Sequence, residues 1–124
     1  MSASDALLAA GRRIIDEAGR DRELGLHESA CVAAHRGAVL VSEAWLRARG
    51  QSMVSNSVHE NVCLSPAAGE PVRAAAERLD RHRMEEGYPH RSFQGATEPV
   101  LESEGAVADA RRVLSFVERE LGLR

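Results

Sequence analysis

The residue types best suited to chemistry crowd into one stretch, Arg78 to Arg91, which reads RLDRHRMEEGYPHR. Arg78, Arg81, His82 and Arg83 make a basic run, Glu85 and Glu86 reverse the charge, and Gly87, Tyr88, Pro89 and His90 form a turn signal. Gly87 and Pro89 bracket Tyr88, so the charged end of a predicted helix is set against a rigid turn. A guanidinium group offers a planar fork of N–H donors that matches phosphate or carboxylate. On residue types alone, Arg78, Arg81, His82 and Tyr88 can bind a nucleotide phosphate or the acidic surface of a partner. The same pattern also fits a solvated helix end in which Arg83 pairs with Glu85 or Glu86, since charge runs on helices usually face water.

Other groups carry less. His59, Glu60 and Cys63 supply only three ligands without a partner motif, so no metal site is expected, and no sequence feature calls for a cofactor. Cys31 and Cys63 are too few and too far apart for a metal knuckle and read as reduced thiols. His35 sits among small residues, where a rim or hydrogen-bonded core role outweighs a ligand role.

Four amphipathic segments must position the Arg78–Arg91 stretch. Ser2 or Ser4 can cap a first helix whose Leu7, Leu8, Gly11, Ile14, Ile15 and Ala18 recur at three- and four-residue steps, with Gly19 as its stop. Charged Arg20 to Leu26 then reads as a connector or frayed turn. From His27 to Arg49 no Pro intervenes, and Ala30, Ala34, Ala38, Val41, Trp45 and Ala48 form the stripe of a long central helix ended by Gly50. Small residues at 30, 33, 34, 37 and 38 allow a neighbouring helix to approach closely. Gln51 to Gly69, rich in Ser and Asn, is a long crossover with room for a short helix or turn. Pro71 opens a third helix that buries Val72, Ala75, Ala76 and Leu79 and runs to Gly87, with Glu77 and Arg81 spaced as an i,i+4 pair. A polar link containing Gly95 and Pro99 leads to a fourth helix, where Val107, Ala110, Leu114, Val117 and Leu121 keep a 3,4,3,4 spacing.

At 124 residues the chain fits one domain spanning 1–124 with one modest core. Hydrophobic residues make up 44% but aromatics only 3%, so the core must come from Ala, Val, Leu and Ile, which suits close-packed helices. The expected fold is therefore all-α. A formal charge of −3 argues against a generic nucleic-acid binder, so any RNA contact has to be local. No apolar run approaches the ~20 residues that span a bilayer. MSASDALLAAGRR reads as a capped helix start rather than an export signal, so a cytoplasmic location without membrane contact is expected.

Three stretches, ESACVAAHRGAVLVSEAWLRARG, RLDRHRMEEGYP and AVADARRVLSFVEREL, together resemble the HEPN domain in helix order and character. The resemblance covers nearly the whole chain and implies a four-helix up-and-down bundle with a long crossover between its second and third helices. Many HEPN proteins are metal-independent ribonucleases whose motif places His a few residues after Arg. On that pattern Arg83 and His90 are the catalytic pair, with His90 as general acid or base and Arg83 stabilising charge on the phosphate. Met84 stands where a polar residue is usual, and Pro89 directly precedes the His. The first reading is therefore a non-enzymatic or degenerate module binding a nucleotide, RNA or partner protein. The alternative is a toxin-like ribonuclease acting across a homodimer. The resemblance also implies a homodimer, here through Ala-rich helix faces, and a nucleotidyltransferase-type partner that modifies Tyr88.

Overall fold

The computed structural model describes residues 2–53, 55–82 and 99–123. Within them the chain forms five helices and no strand: α1 (Ala3–Glu23), α2 (His27–Ala48), α3 (Val58–Val62), α4 (Glu70–Asp80) and α5 (Pro99–Glu120). No helix among the described residues is long and apolar enough to cross a membrane.

Helix α1 begins as its sequence dictates. Ser2 accepts from the Asp5 N–H and the Asp5 carboxylate accepts from the Ser2 N–H, a reciprocal capping box that satisfies two otherwise orphaned donors. The helix does not stop at Gly19, however, and the expected frayed connector is largely a continuation of the helix to Glu23. Gly19 has a neighbour that suits its missing side chain, the guanidinium of Arg111, whereas Gly25 adopts φ +80°. That left-handed residue lets the Leu26 N–H reach the Asp21 carbonyl and the Gly25 N–H reach the Arg22 carbonyl, which closes the helix end.

The start of α1 lies against the end of α2, where Ser4 Oγ donates to the Ala44 carbonyl at 2.7 Å. Midway the two backbones nearly touch. A Cβ on Gly37 would sit 2.6 Å from Ile15 Cγ1 and 3.1 Å from the Gly11 carbonyl oxygen, so the crossing is built for glycine on both helices. Ala30, Ala34, Gly37 and Ala38 are all buried within this one chain. This is the close approach of a neighbouring helix that the small residues of α2 lead one to expect.

Helices α2 and α5 run the same way, since His27 meets Ser103 near their starts and Trp45 meets Phe116 further along. Trp45 is the largest fully buried side chain; its ring packs edge-on against Phe116 at 5.3 Å, and Arg49 lies over the ring at 5.1 Å. On α5, Val107, Ala110 and Val117 are buried as the spacing predicts, but Leu114 and Leu121 lie at the core margin while Val113 and Phe116 fill the interior. The cause is that α5 packs against α1, α2 and α4 together, which needs a broader apolar face than a two-helix seam.

Helix α4 opens at Gly69 with Pro71 in its first turn and buries Val72, Ala75, Ala76 and Leu79, as expected. It ends at Asp80 rather than near Gly87. There the Arg81 and His82 N–H groups bond the carbonyls three residues back, of Arg78 and Leu79, and this tightening ends the α-helical ladder.

Candidate functional site

Two polar clusters flank the point where the chain leaves α4. The first joins α4 to α5. Arg78 donates from Nε and Nη2 to the two oxygens of Asp109, both at 2.9 Å, a bidentate pair whose carboxylate is only 7% exposed. This bond raises the arginine's already high pKa. Three residues on, Arg81 Nη2 reaches Glu102 Oε1 at 3.0 Å, and the same oxygen lies 3.6 Å from Nε2 of the buried His82. Arg81 therefore pairs across to α5 instead of with Glu77. The Arg81 side chain as a whole remains 58% exposed.

Beside this cluster, His27 Nδ1 and Ser103 Oγ stand 2.8 Å apart, and Ser103 also donates to the Val100 carbonyl. Ser103 is fully buried, so this pair fastens α2 to the first turn of α5 and offers no exposed nucleophile. Cys31 lies within the electrostatic reach of Glu102, Arg81 and Glu28. Burial, with Glu102 adding to it, pushes its thiol up to about 12.

The second cluster ties the crossover to the end of α4 and centres on Asp80. Its carboxylate accepts from Ser57 Oγ at 2.6 Å, from the Val58 N–H at 2.8 Å and from the His59 N–H at 3.2 Å. His35 Nε2 stands 3.3 Å from Asp80 Oδ1 and 3.1 Å from the Asn56 carbonyl. A carbonyl can only accept, so Nε2 carries a proton. Burial opposes the charged form of Asp80, but the bonds from His35, Ser57, Val58 and His59 outweigh it and hold its pKa below the usual carboxylate value. Ser57 caps α3 by accepting from the Glu60 N–H, and buried Asn61 donates to Ser42 Oγ and the Ser55 carbonyl. Of the three groups weighed as metal ligands, His59 Nε2 and Cys63 Sγ lie 3.5 Å apart, while Glu60 takes the Ser55 hydroxyl.

The structure therefore brings together Arg78, Arg81 and His82 from the sequence-derived set, each against a carboxylate of α5. Arg83, Tyr88 and His90 lie outside the described residues. Sequence reasoning missed Asp80, Glu102 and Asp109, whose partners His35, Ser57, Arg81 and Arg78 lie far from them in sequence. No local spacing announces such pairs. Only the short helix left a signal, since Ser57 with Glu60 three residues later has the S-x-x-E form of a helix start.

No family model matches the chain, and no curated protein does. Two solved structures do. TT1696 from Thermus thermophilus superposes with a TM-score of 0.81 at 25% identity, covering 97% of this chain and 99% of its own. ST0689, an archaeal HEPN homologue, superposes with a TM-score of 0.80 at 20% identity, covering 98% of this chain and 99% of its own. Agreement over nearly the full length of both chains means that this chain has the HEPN fold.

Proposed function

We propose that the chain is a HEPN-fold module that binds a phosphate-bearing ligand, RNA or nucleotide, at the end of α4 and does not cleave it. The four long helices act as an up-and-down bundle whose crossover and fourth long helix brace that end. The observation carrying this reading is the contrast between neighbours in sequence. Arg81 is anchored by Glu102 yet more than half exposed, while His82 is 2% exposed and turned against the same carboxylate. An anchored, exposed arginine suits phosphate binding. Buried His82 does not reach the ligand and instead backs Glu102 behind the exposed Arg81; that the ligand is not cleaved rests on Met84 and Pro89 departing from the ribonuclease pattern. Arg83, Tyr88 and His90 follow in sequence and belong to the same ligand-binding set in this reading.

The test measures fluorescence anisotropy of a labelled single-stranded RNA and its competition by a nucleoside triphosphate, with cleavage of the same RNA followed in EDTA. Wild type is expected to bind without cleaving, and Arg81→Ala to bind about tenfold more weakly, the scale of one charge-assisted contact. Absence of binding by wild type overturns the proposal. Cleavage in EDTA that disappears in both Arg83→Ala and His90→Ala replaces it with a metal-independent ribonuclease.

A further inference from the structure

At the opposite end of α4 lies a trough that the proposed site does not use. It runs between the start of α4 and the middle and end of α5, with Ala67, Pro71 and Ala108 as its exposed apolar floor and Arg111, Arg112 and Arg119 along its border. Arg111 and Arg119 make no ion pair or hydrogen bond among the described residues. Arg112 has only a marginal 3.5 Å contact with Asp109, which Arg78 already holds bidentately. Three cationic groups thus stand along about 12 Å of helix, the rise of eight residues. What sets this row apart is its clustering on one trough whose lining, among the described residues, holds no carboxylate.

We infer that this trough is a docking surface for an acidic, amphipathic segment of a partner protein. Charge complementarity selects the sign of the occupant. A cationic row two helical turns long, beside an apolar floor, matches a helix that repeats carboxylates at i, i+4 and i+8 and turns a small apolar side chain inward. The trough is an open surface rather than a cleft that encloses a ligand, which disfavours a small molecule. Single-stranded nucleic acid binds basic grooves through exposed aromatic platforms, and the aromatic ring here, Phe116, is 4% exposed.

The experiment titrates three fluorescent probes against the whole chain at low salt: a helical peptide with Glu at i, i+4 and i+8 and Leu between them, the same peptide with Lys for Glu, and a single-stranded RNA. Saturable binding of the Glu peptide, weakened about tenfold in Arg119→Glu and further in Arg111→Glu with Arg119→Glu, supports the surface. Circular dichroism confirms that the variants fold; Arg119 makes no hydrogen bond or ion pair among the described residues, so its reversal breaks none. Failure of the Glu peptide to bind, or binding indifferent to Arg119, overturns the inference. So does tighter RNA binding through the same arginines, which makes the face a nucleic-acid surface. Self-association abolished by Arg119→Glu overturns it too, by making a second copy the occupant. Arg81→Ala leaves this binding unchanged, which separates the trough from the site at the other end of α4.

Discussion

Asp80 shows how much one side chain can organise. It is the last residue of α4, yet its bonds run to Ser57, Val58 and His59 at the start of α3 and to His35 on α2. Hydrogen bonds to a charged group contribute more than neutral ones, and removing one partner strands the others. We expect Asp80→Ala to destabilise the fold by about 2 to 3 kcal/mol in urea unfolding at pH 7, discounted for partial exposure. Asp80→Asn should cost less. The pH dependence has a fixed sign. The folded-state pKa lies below the unfolded value of 3.8, so the carboxylate's stabilisation is fully present above that value. It is lost as pH falls through the lower folded pKa. Stability of wild type should therefore drop below pH 3.8 more steeply than that of Asp80→Asn; equal slopes would show that the cluster carries no linked proton. The two thiols make a second prediction at this scale. Cys63 is exposed, whereas Cys31 is buried with its pKa pushed up to about 12. A thiol reagent at about pH 8 should modify one cysteine in the native protein and the second only on unfolding. Prompt reaction of both would mean that the α2 interior opens readily.

Among elements, the α1–α2 crossing sets the tightest constraint. At Gly11 an added Cβ would lie 2.6 Å from Val41 Cγ2 and 3.0 Å from the Gly37 carbonyl oxygen, and neither neighbour is a flexible tip. Alanine at this position gains about 1 kcal/mol of helix propensity but forces the helices apart at a cost of about 1–3 kcal/mol or more. We expect Gly11→Ala to lower Tm. Gly105 on α5 has nothing within 4 Å of its ideal Cβ position, so Gly105→Ala should raise Tm through propensity alone. A shift of the same sign in both variants would refute the steric account. The contrast also marks what sequence can convey. Small residues at 30, 34, 37 and 38 announced a close approach, because local periodicity records which face is buried. They could not say that the approaching helix was α1 of the same chain, since partner choice depends on the whole packing. The end of α1 was misplaced because Gly19 and Gly25 are equivalent as letters, and only the left-handed φ of Gly25 tells stop from spacer.

At the scale of the molecule, the HEPN-like order of helices was legible because each long helix carries its own apolar stripe. The cross-links at the α4 exit were not, because Arg78–Asp109 and Arg81–Glu102 join residues that only the finished fold makes neighbours. Those links and the Asp80 cluster bind α4 from both sides, so the end of α4 should not melt independently of the core. Buried residues from all five helices form one contiguous apolar cluster, with Trp45 inside it. Trp45, the sole tryptophan, thus reports the α2–α5 interior, while far-UV circular dichroism reports every helix. One core and braced ends predict a single cooperative transition. Urea midpoints from Trp45 fluorescence and from circular dichroism should coincide in wild type. Asp109→Ala removes the buried acceptor of Arg78 and loosens α4 from α5, so it should lower stability by about 1 to 2 kcal/mol and move both midpoints down together. If the dichroism midpoint fell first while Trp45 stayed native, α4 would be a separately melting unit, and the site at its end would be held by the ligand rather than by the fold.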